Sequence, residues 1–157
     1  MDGQRLEFYC ADIEDGGDFP PVHTGRGADR SPEFVLSNLS PAAGTLAVML
    51  EDLDHPIRNF THWVIWNIPA AERIPAAIPA GRRVSDLGGA VQGRAYGFHR
   101  YAGPKPPGGS RHRYRFTVYA LDGPLALGPG AGKRDFLRAA EGRIVQCGSL
   151  TASFPGK

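Results

Sequence analysis

Apolar positions in this chain fall in short runs, separated by glycine, proline and polar residues. The most informative stretch is residues 46–68, LAVMLEDLDHPIRNFTHWVIWNI. Its two apolar runs are strand-length and rich in β-branched and aromatic residues, which predicts two strands. A loop containing Pro56 joins them. Antiparallel pairing brings the end of the first beside the start of the second, and so Asp52 near His62. Alternation predicts that Leu46, Val48, Leu50 and Asp52 share one face. It predicts the same of His62, Val64, Trp66 and Ile68. A carboxylate and an imidazole then meet at the rim of an apolar layer, where each answers the other's need for a partner.

Elsewhere the pattern is plainest in His112 to Asp122 (HRYRFTVYALD). His112, Tyr114, Phe116, Val118 and Ala120 take one face of a predicted strand; Arg113, Arg115, Thr117 and Tyr119 take the other. Glu33–Ser37 and Leu150–Phe154 read as shorter strands, and Leu6, Phe8 and Ile13 could seed another. Residues 21–32 are turn-rich, and residues 71–93 read mostly as loop. Ile68-Pro69-Ala70 ends the second central strand, because proline cannot donate to a ladder. Lys133–Glu141 (KRDFLRAAE) predicts a helix with Phe136, Leu137 and Ala140 buried, and Gly142 suits its C′ stop.

Composition agrees. The chain has 157 residues, enough for one domain with a sizeable core, so residues 1–157 read as a single domain. Its 21 glycines and 14 prolines are spread evenly, which disfavours long helices and leans mainly β. Net charge is +2 with scattered basic residues, so no stripe points to nucleic acid. No apolar run approaches the roughly 18 residues of a membrane span. The N-terminus lacks an apolar signal-peptide core, which makes cytoplasm the default. Cys10 and Cys147 show no metal-ligand spacing and read as free thiols.

The chemistry-bearing candidates are Asp52, Asp54, His62, His112 and Tyr114, each at or near a strand end. Strand ends at a shared rim can line a pocket and still reach solvent. Imidazoles and a phenol can donate hydrogen bonds to an anion, and an acid beside an imidazole sets its tautomer. Trp63, Trp66 or Phe60 would supply apolar walls. The loop RAYGFHRYAGPKPPGGSR (94–111) could form a rigid concavity with inward amides, or be a turn and nothing more. Taken singly, each histidine and acid also has a structural reading, as a satisfied core residue or a turn former. Asp52, Asp54, His62 and His112 could supply metal ligands, but no HExxH-type motif accompanies them. No GxSxG nucleophile motif is present.

EDLDHP, followed by THWVIWNIPA and then YAGPKPPGGSRHRYRFTVYALD, resembles the phosphatidylethanolamine-binding protein family, and especially its bacterial Raf kinase inhibitor-like branch. The similarity runs from about Ser31-Pro32 to Phe154. It implies a PEBP-like antiparallel β-sandwich with a short C-terminal helix and a small pocket at one end. The family's Asp-Pro-Asp-Ala-Pro motif reads Asp52-Leu53-Asp54-His55-Pro56 here, which implies a cis bond at His55–Pro56. The pocket histidine before the second strand corresponds to His62. The later motif spans Gly103 to Tyr114 and supplies Gly103, Pro104, His112 and Tyr114. Leu53 and His55 replace the motif's proline and alanine. Ala95-Tyr96-Gly97 stands where the family has an Asn-containing segment, and the tryptophan expected after Ser-Pro is replaced near Leu36.

The resemblance implies a non-enzymatic protein that binds phosphate, phosphoryl head groups or acetate-like anions. It implies a protein partner of kinase or protease type, allows a homodimer, and implies no cofactor. Two alternatives stand beside it: an inhibitor whose surface binds while its pocket is vestigial, and a phosphoester hydrolase.

Overall fold

The computed structural model describes residues 4–58 and 60–156. In chain order its strands are β1 (Gln4–Arg5), β2 (Phe8–Cys10), β3 (Phe34–Leu36), β4 (Thr45–Asp52), β5 (Phe60–Pro69), β6 (Arg73–Ile74), β7 (Arg83–Val84), β8 (Ala90–Gln92), β9 (Arg111–Leu121) and β10 (Ile144–Pro155). One α-helix, α1 (Lys133–Ala140), lies between β9 and β10. A seven-stranded sheet has the order β1-β10-β9-β4-β5-β8-β7, and a three-stranded sheet has the order β2-β3-β6. All pairings are antiparallel except β1 with β10.

The main core lies between the sheets, where Leu46, Val48, Leu50, Trp63, Phe116 and Val118 meet Phe34 and Ile74. A second apolar cluster covers the other face of the large sheet, where Ala47, Met49, Val64 and Trp66 pack with Phe136 and Ala140 of α1. Covering both faces explains why β4 is apolar almost throughout and is buried along its whole length. The helix begins one residue after Gly132, whose N–H donates to the Asp135 carboxylate (3.1 Å). It ends as the pattern predicts, with Gly142 at φ +76°. Leu137, expected in the buried stripe, is 39% exposed. Strand β10 is much longer than Leu150–Phe154, because Gln146, Cys147 and Gly148 interrupt its apolar pattern yet pair fully with β9.

Strand β5 departs from simple alternation. Leu50 pairs with Trp63 and Glu51 with Thr61, so His62 is an extra residue, a β-bulge. A second bulge lies between Ile65 and Ile68, where Asn67 has φ +62°. Between the bulges Trp63 and Ile65 face the sandwich core, while Val64 and Trp66 face α1. His62 and Ile68 therefore do not share a face with Val64 and Trp66, contrary to the period-two expectation. The bulge at His62 turns its imidazole back to the side that Asp52 occupies. Among the described residues no peptide bond is cis, so His55–Pro56 is trans.

Candidate functional site

Asp52 is the last residue of β4, and its register partners are Phe60 on β5 and Tyr114 on β9. Two residues before Tyr114, on the same face, lies His112. The register of three adjacent strands thus gathers side chains from distant parts of the chain. His112 Nδ1–H donates to Asp52 Oδ2 (2.7 Å), which fixes the proton on Nδ1 and leaves Nε2 as the ring's other polar atom. The second carboxylate oxygen of Asp52 accepts the Asp54 N–H (2.9 Å), closing the turn after β4. His62 Nδ1–H donates to the Ala102 carbonyl (2.9 Å), so its Nε2 is likewise the remaining polar atom.

Asp52, His62, His112 and Tyr114 line one hollow of about 120 Å³, completed by His55, Phe60, Tyr96 and Lys105–Pro107. Asp52, His62 and Tyr114 are all at most 5% exposed, and His112 is 8% exposed. The Tyr114 ring packs edge-on against His62, with centroids 5.4 Å apart. Its hydroxyl is buried close to the Asp52 carboxylate and the Lys105 backbone, but neither stands in good hydrogen-bonding geometry to it. A buried donor without a partner is costly and uncommon in native proteins. Burial, and then the Asp52 charge, push the Tyr114 phenol upward, so it stays protonated. Burial lowers the His62 imidazole, and the Ala102 carbonyl and Asp52 offset this only in part.

The Gly/Pro loop acts as a brace. A side chain at Gly103 would meet the His23 carbonyl at 2.2 Å, so only glycine permits this close approach. The Gly103 N–H donates to Asp29 (2.7 Å), and Pro104 accepts from the Gly25 N–H (2.8 Å). These contacts hold the Ala102 carbonyl on His62 and set Lys105–Pro107 as one wall. Gly103 and Pro104 are therefore supports of the hollow, not part of its lining.

Asp54, grouped with the pocket residues on sequence, binds Arg113 instead. It accepts from the Arg113 backbone N–H (2.7 Å) and from its guanidinium (2.9 and 3.0 Å). Those bonds hold its carboxyl down at about 2. The set Asp52, Asp54, His62 and His112 is thus not gathered around one point. Phe60 supplies an apolar wall, but Trp63 and Trp66 do not. Trp63 donates to Gln92 in the sandwich core (2.8 Å), and Trp66 packs on Phe136. The sequence reading missed His55 and Tyr96 as lining. Their only signal was that both stand where the chain departs from the family motifs.

The family model "Phosphatidylethanolamine-binding protein" matches residues 10–155. A UPF0098 protein of Pyrococcus horikoshii is 39% identical over 157 residues, covering 98% of this chain and 79% of that protein. The UPF0098 protein YbhB of Escherichia coli is 35% identical over 125 residues, covering 74% of this chain and 78% of its own length. Among solved structures, E. coli YbcL, described as a member of the mammalian PEBP family, superposes with a TM-score of 0.85 at 25% identity, covering 98% of this chain and 100% of the other. A PEBP homologue from Chlamydia trachomatis gives 0.83, also at 25% identity, covering 98% and 99%. With the sandwich, the motif order and these matches in agreement, the chain belongs to the phosphatidylethanolamine-binding protein family.

Proposed function

We propose that this chain is a non-enzymatic binding protein whose hollow holds a small anion of phosphate or phosphoryl type. The observation that carries the reading is the buried, unpartnered Tyr114 hydroxyl, which lines the same hollow as His62 and the His112–Asp52 pair. A ligand oxygen would satisfy that donor. Asp52 also decides the electrostatics. An anion beside a buried carboxylate is unfavourable unless a proton joins one of the imidazoles. Burial favours neutral His62. Anion binding therefore takes up a proton, and affinity falls as pH rises through the histidine range.

Titration calorimetry with sulfate tests this cleanly, because sulfate keeps its charge across that range. Affinity should fall toward a limit of about tenfold per pH unit for one proton. The double variant His62→Ala, His112→Ala should bind at least about tenfold more weakly. Unchanged affinity in that variant would overturn the proposal.

The exposed Tyr96 at the hollow, with exposed Phe98 two residues on, favours a second reading in which a protein of kinase or protease type docks over the mouth. Capture of such a partner by the double variant as well as by wild type would favour that reading.

A further inference from the structure

We propose that His55 is a third imidazole of this site, and that as an N–H donor at its mouth it selects a phosphate monoester over a carboxylate or a phosphodiester. This rests on the anion-binding reading above. His55 lies in the loop between β4 and β5 and lines the same hollow as His62 and His112. Its ring stacks on Phe60, with centroids 4.1 Å apart and planes at 11°. Phe60 in turn makes edge-type ring contacts with His62 and Tyr96, with centroids 5.6 and 5.5 Å away. The ring is therefore clamped.

Its tautomer is the reverse of the other two. The Ile57 N–H donates to His55 Nδ1 (3.0 Å), so the neutral ring carries its proton on Nε2. His62 and His112 each carry theirs on Nδ1, committed to Ala102 and Asp52. When neutral, those two rings present only an Nε2 lone pair. His55 is thus the one imidazole of the three whose free group is a donor without further protonation. A carboxylate or a phosphodiester has two unsubstituted oxygens, which Tyr114 and a protonated His62 or His112 can serve. A phosphate monoester has a third, and His55 Nε2–H matches it.

The test compares methyl phosphate, dimethyl phosphate and acetate by calorimetry at pH 7, on wild type and His55→Phe. That variant keeps an aromatic ring to stack on Phe60 and loses the N–H. Methyl phosphate should bind the variant about five- to tenfold more weakly, while the other two change less than about twofold. The His55 ring ¹⁵N resonances in wild type should shift with methyl phosphate and not with acetate. Equal weakening for all three ligands, or none for methyl phosphate, overturns the role of His55 and leaves the anion site standing. Failure of wild type to bind any of the three overturns both.

Discussion

Glu51 and Asp52 are neighbours at the end of β4, and both are buried acids, at 4% and 2% exposure. They point to opposite faces of the large sheet and live in different chemistry. Glu51 faces the helix side. It accepts from Arg115, its register partner on β9 (3.0 Å), and pairs with Lys133 at the start of α1. Its partners are an arginine of the neighbouring strand and a lysine of the helix, so this cluster ties helix to sheet. Asp52 faces the sandwich side, where its partner is a titratable imidazole, its register neighbour Tyr114 has an unpartnered hydroxyl, and a hollow opens beside them. A buried acid held by an arginine and a lysine is a strut. A buried acid held by a group that can gain a proton, next to space for a ligand, is a site.

The largest effect that sharpens this contrast is on stability. Glu51→Gln leaves two cations short of their counter-charge and should lower the unfolding free energy by about 1–3 kcal/mol in urea. That range is below the fully buried case, because both partners retain some exposure. Sulfate affinity should stay within about twofold. A comparable loss of affinity would mean that the two faces are not independent.

Tyr114→Phe should do the reverse. Removing an unpartnered buried hydroxyl should leave the melting temperature of the unliganded protein unchanged or slightly raised. Sulfate affinity should fall about three- to tenfold, since one charge-assisted hydrogen bond is lost. A destabilised unliganded variant with full affinity would make Tyr114 a core residue only.

The smallest effect is in pH. Burial depresses His62, so the unfolded chain takes up a proton that the folded chain resists. Stability is then intact above the unfolded histidine value of about 6.5 and declines as pH falls below it. Melting temperatures from pH 7.5 to 5.5 should drop more for wild type than for His62→Gln. Saturating sulfate should reduce the wild-type drop, because it favours the protonated ring. Parallel curves for the two proteins would remove His62 from the proton account.

Much of the fold is legible locally. The strand at Arg111–Leu121, its inward Tyr114, Phe116 and Val118, and the helix stopped by Gly142 all follow from side-chain period and capping chemistry. The meeting of Asp52 with a histidine was legible too, but with the wrong first partner. The hairpin suggested His62, whereas the hydrogen bond goes to His112, 60 positions away in sequence. Asp54 stood among the site candidates beside Asp52, and the position of Arg113 separates the two.

What the amino-acid order determined by itself was the central strands and which polar residues stand at their ends, since those depend on near neighbours; β6, β7 and β8, in a stretch that reads mostly as loop, form only against their partners. The tertiary structure decided which way those ends face. The β5 bulge at His62 put Val64 and Trp66 on the opposite side from it, and the Gly103 close approach placed a carbonyl on His62 from 40 residues away. A bulge is a mismatch between two paired strands, and a close approach is a relation between two loops. Neither can be read from one segment alone.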